Sequence, residues 1–209
     1  IADSISAKSA SCKIIDAEGS YLIPGAIDDQ VHFREPGLTH KANIHTESRA
    51  ALVGGTTSFM EMPNVNPQTV TNVLLEEKYG LGANSSAVNY SFYLGGTNDN
   101  LEEIKRVNPR NVCGVKIFMG SSTGNMLVDQ EEALNGLFAH SPILIATHCE
   151  SESRVKQRYA EALAKFGDDI PPREHPVIRD AEACYLSSSF AIELAKKHNT
   201  RLHILHITS

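Results

Sequence analysis

Four side chains in this sequence carry groups that could share a cation: His32, Lys116, His148 and His206. Each lies in or closes a short apolar or β-branched run, and the runs are well separated along the chain. Imidazole nitrogens ligate divalent transition metals. A lysine buried in an apolar strand is pushed toward its neutral amine, because burial penalises the charged form. A neutral amine can add carbon dioxide to give a carbamate, whose two oxygens can bridge two cations. Alternatively, Lys116 snorkels or pairs with a carboxylate, and any single strand-end histidine is satisfied as a structural side chain. The four taken together, at matching ends of four strands, point to a common cation.

Neighbouring residues extend the pattern. Alternation along the first strand puts Asp28, Gln30, His32 and Arg34 on one face, at a barrel mouth, or else in a hydrogen-bonded polar cluster with no ligand. The same rule sends His203 and His206 to opposite faces. Asn64, after Met62-Pro63, offers an amide to a substrate or closes an Asx turn. Arg34 carries a planar fork suited to a carboxylate, or pairs with Glu35. Cys149 has no base beside it to make it a nucleophile. The Gly120-Ser121-Ser122-Thr123-Gly124-Asn125 stretch lacks the Gly-Lys-Ser/Thr ending of a phosphate loop and is read as a mobile active-site loop.

These residues must be positioned by alternating strands and helices. Strand-like runs occur at Ile23–His32, Thr56–Met62, Ala87–Leu94, Val112–Met119, Pro142–His148 and Arg201–Ile207. Helix-like stretches occur at Lys41–Val53, Asn98–Val107, Asp129–His140, Glu152–Lys165 and Asp180–Lys197. Such alternation implies an α/β fold with parallel pairing. No GxGxxG follows the first strand, which argues against a dinucleotide-binding sheet. Polar residues at the C-terminal strand ends fit a (β/α)8 TIM-type barrel with six of its eight strands over residues 21–209, since a whole barrel needs roughly 250 residues. In residues 1–20, the stretch over 12–16 reads as one strand whose partners are missing.

Composition sets outer limits. The 209 residues are 41% hydrophobic and 21% charged, as expected for a globular domain. A net charge of -6 argues against a nucleic-acid partner. There is neither an apolar run of about 18 residues to cross a membrane nor a signal-peptide pattern. Cys12, Cys113, Cys149 and Cys184 lie far apart, which favours a reducing cytoplasm over a disulfide framework.

The stretches PGAIDDQVHFREPG (24–37), GGTTSFMEMPN (54–64), GVKIFMG (114–120), HPVIRDAEACYLSSSFAIELA (175–195) and RLHILHITS (201–209) resemble the amidohydrolase superfamily and, within it, dihydroorotase. The resemblance covers about residues 21–209, and it implies that residues 1–20 are the remnant of a small β-sandwich. It implies a metal-dependent barrel enzyme that reversibly cyclises N-carbamoyl-L-aspartate to L-dihydroorotate in pyrimidine biosynthesis, through a metal-activated hydroxide. It implies one or two zinc ions held by His32, a carbamylated Lys116, His148 and His206, with His203 turned to the helix layer. Arg34 and Asn64 would hold the substrate carboxylate. Gln30 stands where the family has the first histidine of an HxH; its amide oxygen is a weaker ligand for zinc than imidazole. Asp28 would lie behind the ligands. The family's catalytic aspartate on strand eight would fall beyond residue 209, so the chain is expected to be a piece of a longer protein and inactive alone. A small-molecule substrate and a homo-oligomer are implied as well. Gln30 leaves open a metal-free, inactive structural or regulatory subunit, and a hydantoinase- or allantoinase-type cyclic amidohydrolase is the other alternative.

Overall fold

A computed structural model describes residues 13, 15–120 and 126–207. Six parallel strands form one sheet in sequential order: β1 (Ala26–Val31), β2 (Thr56–Glu61), β3 (Asn89–Gly95), β4 (Gly114–Phe118), β5 (Ile145–His148) and β6 (Leu202–Ile204). The connections carry helices α1 (Ile44–Val53), α2 (Asn72–Ser85), α3 (Leu101–Lys105), α4 (Glu131–His140), α5 (Glu152–Phe166), α6 (His175–Ile178) and α7 (Ala181–His198). The sheet curls. Asp29 on the first strand reaches His203 on the last, with 3.3 Å between Oδ2 and Nε2. This is the incomplete TIM-type barrel expected from the alternation.

The central strands are buried on two sides. All five residues of β4 are buried, as a central parallel strand requires. Phe59, Phe92, Leu94, Val115, Ile117 and Ile145 pack toward the helices in the main core. The concave side carries a smaller cluster of Met62, Tyr93, Ala146 and Leu205, joined by Met60 and Cys113. Burying each large apolar side chain contributes about 1.5–3 kcal/mol, so the helix-side core dominates stability and the concave side is left free for polar groups.

α2 is not announced by the sequence pattern, because Gly80 and Gly82 interrupt its apolar periodicity and are poor helix formers. Gly82 is needed for packing. A Cβ there would stand 2.7 Å from the Tyr90 ring, so the small residue lets α2 lie against β3.

Asn43 caps α1, its side chain accepting from the Thr46 N–H at 2.9 Å. Asn43→Ala removes that partner and should cost about 1 kcal/mol, lowering the melting temperature by roughly 2–4 °C. Calorimetry on the pair of proteins checks this; an unchanged melting temperature would show that water replaces the cap fully.

Three expectations need correction or fall outside the described residues. Asp28 does not share a face with Gln30 and His32. The register pairs Asp28 with Phe59 and Val31 with Glu61, so Asp29 and Gln30 together oppose Met60, a bulge that shifts the alternation. Of the 1–20 segment read as a β-sandwich remnant, only Lys13 and 15–20 are described, and these form no strand; the rest of the 12–16 strand lies outside the described residues. Residues 121–125 of the glycine-serine loop also lie outside them. Among the described residues no helix is long and apolar enough to cross a membrane.

Candidate metal and substrate site

Lys116 sits mid-strand in β4, in register with Gly95 on one side and Ala146 on the other. Ala146 belongs to the concave cluster, so the lysine points the same way. It is 1% exposed, and its Nζ has no hydrogen-bond partner. The nearest feature is the Phe118 ring, 4.5 Å from Nζ to centroid. Desolvation pushes the amine down to about 7. A buried amine that is substantially neutral and unpartnered is a nucleophile awaiting an electrophile or a cation's ligand shell. The alternatives of snorkelling and carboxylate pairing do not apply here.

His148 ends β5 beside Phe118. His206 lies just past β6. The ladder continues to Leu205, whose N–H donates to the Thr147 carbonyl at 3.0 Å, and His206 then turns at φ 38. This left-handed turn breaks the alternation. His203 is in register with Ala146, so it too lies on the concave side, paired with Asp29. The expectation that His203 faces the helix layer is therefore wrong, because His206 is no longer part of the strand whose period it was counted on.

The two imidazoles meet. His148 Nδ1 and His206 Nε2 are 3.2 Å apart, with ring centroids 4.9 Å apart. Behind His148, Nε2 lies 3.4 Å from Glu150 Oε2, a contact electrostatic in character and longer than a full hydrogen bond. Arg179 grips that carboxylate with its fork, Nε to Oε1 at 2.7 Å and a second nitrogen on Oε2. The carboxylate favours the proton of His148 on Nε2, which leaves Nδ1 bare toward His206. Burial first, then the neighbouring His148, lower the pKa of His206, while its own backbone carbonyl accepts from its ring. With both ring protons on the outer nitrogens, two lone pairs would face one another and call for a shared proton or cation; with one proton between them the contact is a hydrogen bond. Two ligands of one tetrahedral zinc stand about 3.3 Å apart at the usual bond lengths. The spacing of these two nitrogens fits such an ion.

His32 brings in the first strand. Its pKa is pulled down to about 4, mainly by burial and then by Arg34, with the Asn64 amide opposing and Lys116 and Lys78 adding to the fall. The ring is neutral near pH 7 and stands in the field of Lys116. Arg34 has the left-handed φ 69. It is not held by Glu35, whose carboxylate instead accepts from the Ile44 N–H at 2.8 Å. Gln30 lies in the bulge with its N–H on the Asp28 carboxylate at 3.0 Å. Among the described residues no three His, Cys, Asp or Glu side chains are grouped so as to hold a metal by themselves.

The structure thus brings His148 and His206 into contact, with Lys116 acting electrostatically on both His206 and His32, and Arg34 and Asn64 acting on His32. His148, Glu150, Arg179, Leu205 and His206 line a cleft of about 370 Å3. A larger one of about 480 Å3 lies among α4, α5 and α7, away from the imidazoles. Sequence reasoning missed Glu150, Arg179, Glu61 and Lys78. The available signal was charge directly after an apolar strand, in Thr147-His148-Cys149-Glu150 and Phe59-Met60-Glu61.

No protein-family model matches the chain. It is 32% identical over 203 residues to a dihydroorotase of Methanosarcina acetivorans, covering 96% of this chain and 43% of that protein. It is 30% identical over 210 residues to an allantoinase of Deinococcus radiodurans, covering 95% of this chain and 45% of that one. Among solved structures it superposes on the L-hydantoinase (dihydropyrimidinase) of Arthrobacter aurescens with TM-score 0.86 and 27% identity, covering 92% of this chain and 44% of that one. The chain spans less than half the length of these relatives.

Proposed function

This chain belongs to the cyclic amidohydrolase group of the amidohydrolase superfamily, and from that premise we propose that the whole protein is a metal-dependent dihydroorotase, interconverting N-carbamoyl-L-aspartate and L-dihydroorotate. The observation that carries the metal reading is the pair of facing nitrogens of His148 and His206, 3.2 Å apart beside the unpartnered Lys116 amine. His32, His148, His206 and Lys116, the last as its carbamate, would hold one or two zinc ions, with Gln30 a weak additional oxygen donor. A bound zinc ion would supply Lewis acidity, making water acidic near neutral pH and polarising the ring amide carbonyl.

The remaining work falls to the protein. Glu150, gripped by Arg179, keeps the proton of His148 on Nε2 and so keeps Nδ1 available as a ligand. Burial keeps His32 neutral, which a metal ligand must be. Arg34 and Asn64 would take the substrate carboxylate, since the guanidinium is not committed to Glu35 and its fork matches a carboxylate in two bonds. Their contribution is orientation, holding the ring amide over the reacting centre.

Arg34→Ala tests the substrate assignment. A charge-assisted bond to a buried partner is worth about 1.5–3 kcal/mol, so KM for dihydroorotate should rise about 10- to 100-fold while kcat falls much less. A second reading is favoured by the likeness to a hydantoinase and an allantoinase: a cyclic amidohydrolase whose ring bears no carboxylate at that position. It predicts turnover of hydantoin or allantoin that is indifferent to Arg34→Ala. Steady-state kinetics on the three rings separates the two.

A further inference from the structure

Beneath the substrate side of the site lies an ion pair that the reaction does not use. Glu61, the last residue of β2, is 0% exposed, and Lys78 on α2 is 1% exposed. Lys78 Nζ is 3.1 Å from Glu61 Oε2 and donates to the Met62 carbonyl at 3.0 Å. It also lies over the Phe92 ring, 5.1 Å from the centroid. The amides of Phe33 and Arg34 face the same carboxylate without closing full hydrogen bonds. Two charges taken out of water gain little net stability over apolar side chains of the same size, so such a pair calls for another explanation.

Its contacts supply one. The carboxylate faces the backbone that carries Arg34, and the ammonium holds the carbonyl of Met62, two residues before Asn64. Arg34 has φ 69, a conformation that non-glycine residues hold only when their surroundings enforce it. Met62 N–H in turn donates to the Val31 carbonyl at 3.0 Å, joining the same two strand ends. We propose that Glu61 and Lys78 are positioning residues, a buried strut that fixes the Arg34 and Asn64 backbones and thereby aims both side chains at the substrate carboxylate. The inference rests on the reading of Arg34 as the carboxylate holder. It gives the ion pair a role in substrate affinity and none in the chemical step or in metal binding.

The test uses the whole protein with dihydroorotate as probe. Glu61→Gln removes one charge; because a lone buried ammonium is strongly destabilising, Glu61→Gln/Lys78→Met removes both charges at nearly constant volume. The expected result is a rise in KM of about tenfold, with kcat changed less than about threefold and zinc content unaltered. Adding Arg34→Ala to the paired variant should raise KM little beyond Arg34→Ala alone, because the strut acts through that side chain. Lys78→Arg, which keeps the charge, should recover part of the affinity. Parallel losses of kcat, KM and zinc, or full additivity with Arg34→Ala, would mean that the pair only supports folding and would overturn the inference. If Arg34→Ala itself leaves KM unchanged, the carboxylate reading falls and the inference falls with it, a result distinct from a silent strut beside a working arginine.

Discussion

His206→Ala in the whole protein should lower cyclic-amide turnover by about a thousandfold, the upper range for losing one electrostatic contact in a site, and should leave the purified protein short of zinc. His206 Nε2 is one of two nitrogens facing each other at 3.2 Å, so alanine halves the imidazole set on that side. The other half stays in place, because His148 is fixed by β5 and by the Glu150–Arg179 pair rather than by His206. The protein should therefore remain folded while binding metal poorly. Element analysis and kinetics on the same preparation decide the matter. Wild-type turnover with zinc retained would show that the His148–His206 contact is a plain hydrogen bond, and His206 would be lost as a metal ligand.

The second large effect concerns pH. In metal-stripped protein kept free of carbon dioxide, Lys116 is an amine held near 7 by desolvation, against 10.5 in an open chain. Between those values the unfolded chain binds a proton that the folded chain does not, so stability rises with pH through this window. Below about pH 7 the ammonium is buried charged and its penalty is present in full; above about 10.5 the penalty is gone. Each pH unit inside the window is worth at most about 1.4 kcal/mol, so raising the pH from about 7 to about 9 should add about 2 kcal/mol through this one group. Lys116→Met keeps the length and lacks the titration. It should be the more stable protein at pH 7, and the difference should close on the alkaline side. Urea midpoints for both proteins at the two pH values provide the check, and parallel pH profiles would place the amine in contact with water or a carboxylate. Adding zinc and bicarbonate to the wild type should flatten its profile.

Much of this site was legible before any coordinates. The six strand runs were found within a few residues, because a parallel sheet buried on both sides writes continuous apolar stretches into the sequence. Lys116 stood out for the same reason, as a charge amid Val115, Ile117 and Phe118. His32 and His148 were readable as strand-end residues. The helix at 72–85 was not, because Gly80 and Gly82 interrupt its apolar period, and Gly82 serves packing against Tyr90 and Phe92, partners distant in sequence that leave no local period.

The sequence by itself determined which residue types stand at the C-terminal ends of the strands, and hence what chemistry the concave side can hold. Only the tertiary structure decided where the side chains at those ends point. Alternation is enforced by ladder hydrogen bonds and lapses where the ladder stops or bulges. Asp28 is turned away by the bulge at 29–30, Arg34 and His206 are redirected by positive φ, and His203 therefore shares the concave side with His206. Nor could the sequence pair Glu150 with Arg179, or Glu61 with Lys78, since each pair joins separate elements. A backbone turn of one residue costs little and is settled by contacts far along the chain, so it falls beyond the reach of any local pattern.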